Sequence, residues 1–317
     1  MPGRHMKLHQ IRDLLAVAQA GSLRAAARRL HVAQPSISRS IRSLEREIGV
    51  PLLERQARGT VLTASGQLFA RRASAAASEL RRAREEIEQL HEGAQGSVTV
   101  GFSSVPLLAL LPQALAPFKT RYPGIELRII DGAFPAIEAR LKDGSIDFYA
   151  GVAPEKTPRP DLRVEKLFDN TRVVMARHDH PLARAKSLAE LSGAQWVTTS
   201  ITDDAAAEIA GLFNQHRLPS PQLGARITGG ALSLITNLAH SDLLALVPRQ
   251  WTEFSPTRGT LRKLDLKEEI AASPICLIRR AALPLTPAAE FLCDLLRRAS
   301  VQYAGSEPVT RRRRRGK

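Results

Sequence analysis

The hydrophobic pattern between residues 34 and 48 is the most informative feature of the chain. Four apolar residues there stand at positions i, i+4, i+7 and i+11, the spacing of one buried helix face: Ile37, Ile41, Leu44 and Ile48. At about 100° per residue, the opposite face carries mainly arginine: Pro35, Arg39, Arg42, Ser43 and Arg46. This combination predicts a short helix that lies in the major groove of DNA, whereas a merely solvated face would usually mix Glu and Lys.

Two blocks before this helix complete the pattern of a helix-turn-helix. The apolar residues of the first block stand at i, i+3, i+4 and i+7 before Gly21: Ile11, Leu14, Leu15 and Ala18. Ser22 is placed to cap a second helix over Leu23–Leu30, whose inward residues would be Ala26, Ala27 and Leu30. His31-Val32-Ala33 would form the turn, and Pro35 suits the first turn of the third helix, where a missing N–H costs nothing.

A wing is predicted after the third helix. Gly49-Val50-Pro51 interrupts the helical pattern, and residues 52–55 and 60–62 then predict two short strands around Arg58-Gly59. Arg55 and Arg58 would be placed to contact phosphates or the minor groove. Residues 1–62 are therefore predicted to form a winged helix-turn-helix DNA-binding domain, and Met6 indicates that residues 1–5 are a leader, an alternative start or a cloning remnant.

Residues 63–92 predict a long linker helix. Its apolar positions alternate in spacing of four and three, which is a heptad seam: Phe69, Ala73, Ala76, Leu80, Ala83, Ile87 and Leu90. The small alanines favour close pairing with a second helix, which would make this segment a dimerisation element. The alternative is an amphipathic helix that lies on its own protein.

From Gly96 onward the pattern alternates between strands and helices, which indicates an α/β fold with parallel strands. Strands are predicted at 98–102, 125–129, 146–152, 171–177, 223–228, 243–247 and 274–280. Helices are predicted at 107–119, 136–142, 203–216, 230–239 and 285–300.

The distribution of charge supports a nucleic-acid partner. Of the net charge of +15, residues 1–72 contribute +9 and residues 311–317 contribute +6, so the remainder of the chain is neutral. The basic run from Arg311 to Lys317 predicts a disordered tail over 305–317 that adds phosphate contacts, unless it is an inert extension. The chain has no apolar run of membrane-spanning length, and Arg12-Asp13 interrupts any signal-like start, so a cytoplasmic, nucleoid-associated protein is expected.

A family resemblance rests on many motifs in order over about sixty residues. They are Gly21 to Ala27, Gln34-Pro35 with Ser38 and Arg39, Leu44-Glu45, Leu52 to Arg55, Arg58-Gly59, and Leu62 to Gly66. Together they resemble the DNA-binding domain of LysR-type transcriptional regulators. Ala33 departs from the family, which commonly has Ser before Gln-Pro, and the lost cap should cost about 1 kcal/mol.

The resemblance implies how DNA is bound and how the protein assembles. The DNA-binding residues are expected to be Gln34, Pro35, Ser36, Ser38, Arg39, Arg42, Arg55 and Arg58. Dimers would form through antiparallel linker helices and assemble into a homotetramer, and RNA polymerase would be a further partner. The effector domain, residues 93–304, would be similar to periplasmic binding proteins, with subdomain I at 97–167 and 271–303 and subdomain II at 168–270.

Hydroxyl-bearing residues mark the predicted effector cleft. Ser103 and Ser104 lie where the first strand meets its helix, and a run of hydroxyls follows another strand: Thr198, Thr199, Ser200 and Thr202. Hydroxyls and amides at strand ends favour an anion, although Thr202 alone could cap its helix. Phe134, Thr228 and Pro248 match pocket positions by resemblance only, with core packing as the alternative for Phe134. A small organic acid is the expected effector, and the finer resemblance is to regulators of aromatic-acid degradation.

Other chemistries find little support in the sequence. His178-Asp179-His180 has no evident third metal ligand, and Cys276 and Cys293 have the pattern of core thiols. No phosphate-binding loop, dinucleotide motif or catalytic triad is evident, so no cofactor, metal or enzymatic activity is expected. The leading prediction is an effector-responsive transcriptional regulator. The alternatives are a nonspecific architectural DNA-binding protein and, less favoured, a small-molecule-binding enzyme.

Overall fold

The computed structural model describes residues 5–56, 59–89, 95–152, 160–199, 205–227 and 230–306. They form two compact units: the chain up to residue 91 together with Arg140–Ile146, and the rest of the chain. The predicted basic tail falls almost entirely outside the described residues.

The first unit is a winged helix-turn-helix followed by a long helix. Its elements are α1 (Leu8–Ala20), α2 (Leu23–Leu30), α3 (Gln34–Ile48), β1 (Leu53–Gln56), β2 (Gly59–Leu62) and α4 (Ala64–Gln89). The predicted caps are confirmed: Gly21 ends α1 at φ +68°, and the Ser22 hydroxyl accepts a hydrogen bond from the Ala25 N–H at 3.1 Å. Ala33 provides no side-chain cap to α3, as its sequence predicted.

The head, the winged helix-turn-helix of residues 8–62, buries most of the predicted stripes, with Leu15 and Leu30 only half-buried and two predicted residues exposed. Ile37, Ile41 and Leu44 are buried together with residues of α1 and α2. Ala18, however, is exposed, because Ala16 and Val17, rather than Ala18, lie on the buried side of α1. Ile48 is also exposed, since it lies in the last turn of α3, beyond the other two helices.

The wing is attached to the helices by hydrogen bonds that its backbone N–H groups donate. β1 and β2 pair antiparallel, and the Glu45 carboxylate on α3 accepts hydrogen bonds from the N–H groups of Leu52 and Leu53 at 2.8 and 3.1 Å. The Thr60 N–H donates to the Gly21 carbonyl at 3.0 Å. Gly59 is required here, because it has φ +138° and a Cβ would lie 2.6 Å from that same carbonyl.

The seam of α4 is divided between buried and exposed residues. Phe69 packs against the head core and Ala73 is buried, whereas Ala76, Leu80, Ala83 and Ile87 are at least partly exposed. Leu80 and Ile87 expose 53% and 61% of their surface, and Leu90 lies outside the described residues. On another side of α4, the buried Arg82 donates to the carbonyls of Gly144 and Ile146, which joins that segment to the first unit.

The second unit is the predicted α/β fold. Its strands are β3 (Gly96–Phe102), β4 (Ile125–Asp131), β5 (Phe148–Val152), β6 (Leu162–Arg177), β7 (Gln195–Thr199), β8 (Gln222–Ile227), β9 (Leu243–Pro248), β10 (Leu261–Lys263) and β11 (Ile270–Arg280). Its helices are α5 (Ser104–Ala109), α6 (Leu111–Arg121), α7 (Phe134–Lys142), whose last residues count with the first unit, α8 (Ala205–Gln215), α9 (Ala231–Ala239) and α10 (Pro287–Ser306). Short 3-10 helices occupy Leu188–Leu191, Arg249–Thr252 and Ser255–Thr257.

The strands follow one another in the order β4-β3-β5-β11-β6-β9-β7-β8, and β10 also pairs with β6. The two long strands, β11 and β6, stand in the middle of this order and connect two groups of parallel strands. β3 pairs parallel with β4 and β5, and β7 pairs parallel with β8 and β9. The long strands β6 and β11 are antiparallel to each other, and each also pairs with one of the groups. Separate apolar cores surround Phe118 and Phe148 in the first group and Trp196 and Leu238 in the second.

Several predicted boundaries were wrong. The single helix predicted over 107–119 is two helices, because Pro112 has no N–H to continue the helical hydrogen bonding across Leu110. α7 starts at Phe134 rather than residue 136, since Pro135 is tolerated in a first turn. β6 and β11 begin at Leu162 and Ile270, well before the predicted 171 and 274.

Candidate DNA-binding face and effector cleft

The exposed face of α3 carries the predicted arginines. Pro35, Arg39, Arg42 and Arg46 are all on the solvent side, while the opposite side of the helix is buried in the head core. The Arg42 guanidinium donates to the Ser38 hydroxyl at 2.8 Å, and Arg46 reaches the Arg42 carbonyl at 3.4 Å. No carboxylate among the described residues pairs with Arg39, so its guanidinium is available to a base edge or a phosphate.

The start of α3 presents the remaining predicted contacts. Gln34 and Ser36 are exposed beside Pro35, and Ser38 is half-buried on the same face. The Arg55 side chain and Arg58 lie outside the described residues, so their predicted positions on the wing are not tested.

The strand ends of the first parallel group bring Ser103, Phe134 and Tyr149 together. The Ser103 N–H donates to the Ala150 carbonyl at 3.0 Å, while its Oγ is buried beside the Tyr149 hydroxyl and makes no hydrogen bond of ordinary geometry with the described residues. Ser104 is half-buried at the first position of α5. Phe134 is 3% exposed, and its ring packs edge to face against the Tyr149 ring with 5.5 Å between the ring centroids. Its side chain is therefore buried against Tyr149 rather than exposed to solvent.

Tyr149 is a polar group that sequence reasoning missed. Its side chain is fully buried, and its Oη makes no hydrogen bond of ordinary geometry with the described residues. Burial raises the pKa of the Tyr149 hydroxyl well above its usual value, an effect that the adjacent Ser103 hydroxyl partly opposes. The phenol therefore stays protonated and can donate a hydrogen bond. A tyrosine within the otherwise apolar strand Phe148–Val152 was the available signal.

The strand ends of the second parallel group contain further polar residues. Thr198 is 5% exposed within β7, and Pro248 ends β9 opposite Arg172 of β6. Arg172 Nε lies 2.8 Å from a carboxylate oxygen of Glu208 on α8, an ion pair that the sequence did not predict. The Thr199 side chain, Ser200, Thr202 and Thr228 lie outside the described residues, so this part of the predicted hydroxyl cluster is not tested.

The histidines and cysteines have structural surroundings. The His180 Nδ1 accepts from the Leu182 N–H at 2.9 Å, and its Nε2 lies 3.1 Å from the Asp242 carbonyl oxygen. Groups of three potential metal ligands are lacking among the described residues. Cys276 and Cys293 are buried free thiols, and burial raises the pKa of both, which disfavours the reactive thiolate.

Comparison with known proteins identifies both units. The family model described as bacterial regulatory helix-turn-helix protein, lysR family, matches residues 8–67. The model of the LysR substrate binding domain matches residues 91–300, well over half of the chain. The chain belongs to the LysR family of transcriptional regulators. Its two units therefore correspond to a DNA-binding head and an effector-binding domain, which makes it a DNA-binding regulator modulated by an effector.

Named LysR relatives cover much or most of the chain. The SDS degradation transcriptional activation protein of Pseudomonas sp. (strain ATCC 19151) is 28% identical over 295 residues, which cover 91% of this chain and 95% of that protein. The Hca operon transcriptional activator HcaR of Escherichia coli (strain K12) is 34% identical over 196 residues, 61% of this chain and 65% of that protein.

Solved LysR structures share the fold over nearly their full length. CbnR has 22% identity and a TM-score of 0.68, covering 93% of this chain and 99% of that one. Full-length CbnR complexed with its target DNA has 23% identity and a TM-score of 0.66, with coverage of 93% and 100%. A full-length OxyR variant from Pseudomonas aeruginosa has 21% identity and a TM-score of 0.69, with coverage of 92% and 95%.

LysR proteins are transcriptional regulators rather than enzymes. In the part of the chain that the structure describes, none of the helices combines the length and apolar character needed to cross a membrane.

Proposed function

We propose that this LysR regulator binds promoter DNA sequence-specifically and that a small organic acid, held at the strand ends of the effector domain, changes this binding. The observation that carries the proposal is the pair of adjacent buried hydroxyls of Ser103 and Tyr149, which face each other and the Phe134 backbone but make no hydrogen bond of ordinary geometry with the described residues. Unsatisfied buried hydroxyls cost free energy unless a ligand or water pairs with them. The Phe134 and Tyr149 rings beside them favour an acid with an aromatic or apolar body.

Arg172 provides a cation for such an acid at the strand ends of the second parallel group, where it pairs with Pro248. Its guanidinium is paired with Glu208, so an incoming carboxylate would share or replace an existing charge pair. The hydroxyl run from Thr198 to Thr202 belongs to the same proposed site, as do Ser104, Thr228 and Pro248.

The proposed DNA-binding surface consists of the α3 face and the wing. Arg39 and Arg42 lie on the exposed side of α3, and Gln34, Pro35, Ser36 and Ser38 stand at its beginning. Arg55 and Arg58 complete the proposal from the wing. An architectural protein would use the same basic charge without base contacts, and the ratio of specific to random affinity distinguishes the two functions.

Arg39→Ala tests base readout. We expect specific affinity to fall by about 1–3 kcal/mol, because a bidentate arginine–guanine contact has that value. The head should keep its stability, because Arg39 lies opposite the buried face. Fluorescence anisotropy on a selected operator and on a random duplex measures both affinities. An equal loss on the two duplexes would show that Arg39 contacts only phosphate.

Ser103→Ala tests the effector site. A screen of small organic acids by thermal shift first identifies a ligand that stabilises the wild type. We expect the variant to bind that ligand about tenfold to a hundredfold more weakly, since one hydrogen bond to a charged group contributes about 1.5–3 kcal/mol. Calorimetric titration gives the affinity, and Ser233→Ala on the exposed side of α9 is the control.

Stability separates this site from a structural role for Ser103. Because its Oγ lies beside the Tyr149 hydroxyl without a hydrogen bond of ordinary geometry, the alanine variant should melt close to or above the wild-type temperature. Unchanged ligand affinity in the variant would mean that the effector binds elsewhere.

The exposed seam of α4 supports a proposed dimer. Leu80 and Ile87 would be covered by a second linker helix, and dimers of this kind would assemble further into tetramers. The regulator would act in the cytoplasm at the nucleoid, with RNA polymerase as a partner and without enzymatic activity.

A further inference from the structure

A groove of about 690 Å³ lies beside the recognition helix, between the beginning of α1 and one side of α3. From α3 it is lined by Arg39, Ser43 and Arg46, and from α1 by Lys7, His9 and Arg12. The α1 residues lie outside the DNA-binding surface derived from the sequence, which comprised only α3 and the wing.

The groove is electropositive, and its arginine on α1 is held in place. Four permanent cations line it, Lys7, Arg12, Arg39 and Arg46, against two carboxylates, Asp13 and Glu47. Asp13 is 4% exposed and accepts hydrogen bonds from the Arg12 Nη2 and Nε at 2.9 and 3.2 Å. The Arg12 side chain nevertheless remains 55% exposed, which leaves its other N–H groups available to an anion.

Lys7 directly precedes α1, and its backbone is held by a hydrogen bond although the residue is exposed to solvent. The Lys7 N–H donates to the Gln10 Oε1 at 2.8 Å, and Gln10 is 5% exposed. Both α1 cations therefore project from ordered positions at the edge of the groove.

The dimensions of DNA determine what lies opposite these cations. The major groove is about 12 Å wide, so α3 alone fills it, and a neighbouring helix packs at an interaxial distance of about 8–10 Å. Because Arg39 and Arg46 of α3 line the same groove as Lys7 and Arg12, placing the exposed face of α3 in the major groove brings the beginning of α1 toward the phosphates at its rim.

We propose that Lys7 and Arg12 form a phosphate clamp that binds the DNA strand beside the recognition helix. The clamp neutralises phosphates and reads no bases, so it contributes affinity and orientation rather than sequence preference. Asp13 accepts hydrogen bonds from Arg12 at the edge of the groove, but the clamp depends on the positive charge of Arg12 rather than on this contact.

The test is the salt dependence of binding by a Lys7→Ala/Arg12→Ala variant to a random-sequence duplex. Each phosphate contact contributes about 0.9 to the slope of log affinity against log salt. We expect the slope to flatten by about 1–2 units and the affinity at about 0.15 M salt to fall roughly tenfold or more. The control, Arg258→Ala/Arg298→Ala, removes the same charge from exposed positions of the second unit and should keep the wild-type slope.

A conservative variant separates the clamp from a structural role. Arg12→Lys loses the two-point contact with Asp13 but keeps the positive charge, and it should retain the wild-type slope. Overlapping circular-dichroism melts show that the head remains folded. A double variant with the wild-type slope, or with no greater change than the control, overturns the proposal, as does an Arg12→Lys variant that behaves like the alanine variant.

Discussion

Leu80→Asp combined with Ile87→Asp separates the proposed dimer and weakens operator binding by about a hundredfold or more. The two side chains are 53% and 61% exposed on α4, so the substitutions do not disturb the fold of one chain. Burying two carboxylates in a helix pair is costly, because each must be desolvated or protonated. Two heads that are no longer linked must then find adjacent half-sites independently, which removes the gain in effective concentration.

Sedimentation velocity and anisotropy on the operator measure these two effects. Arg298→Asp, on the exposed side of α10, changes the net charge by the same amount as the double variant and serves as its control. If the double variant sediments as an intact dimer, the seam of α4 does not form the interface.

Gly66→Ala strongly destabilises the head, by an amount at or above the upper end of the usual range of about 1–3 kcal/mol for overpacking. A Cβ at Gly66 would lie 2.0 Å from the carbonyl oxygen of Leu52 and 2.9 Å from its carbon. Both atoms belong to the backbone, so no side-chain rotation relieves the contact. The first turn of α4 would have to move away from the wing, and both would lose packing.

Gly211→Ala is the matched control for this substitution. Gly211 also lies within a helix, α8, but outside its own helical backbone no heavy atom of the described residues lies within 4 Å of the added Cβ. We expect it to stabilise the effector domain by up to about 1 kcal/mol through its better helix propensity. Urea unfolding of both variants measures the difference, and a wild-type midpoint for Gly66→Ala would contradict the close packing of α4 on Leu52.

The head was predictable from sequence because its signals are local. Ser22, Gly21 and Pro35 each determine a helix boundary through their own backbone chemistry, and α2 was predicted over the residues that form it. The apolar stripe of α3 likewise depends only on spacing within one helix. Such signals do not depend on residues elsewhere in the chain.

The effector domain was less predictable because its features depend on distant residues. The first half of β6 is stabilised by pairing with β11, and its own sequence alternates poorly between apolar and polar positions. Tyr149 becomes a candidate only when the fold brings Ser103 beside it, and Arg172 only when α8 presents Glu208. The hydroxyl runs indicated the strand ends where the effector site is proposed, but not these partners.

Glu45 has a consequence for what an effector can alter. It stands inside the recognition helix but fastens the first strand of the wing by two hydrogen bonds to a charged carboxylate. Each such bond contributes about 1.5–3 kcal/mol, so we expect the helix and the wing to move together. On this basis each head would recognise the same half-site with and without effector. The effector would then change the spacing and the rotational phase of the two heads along the promoter.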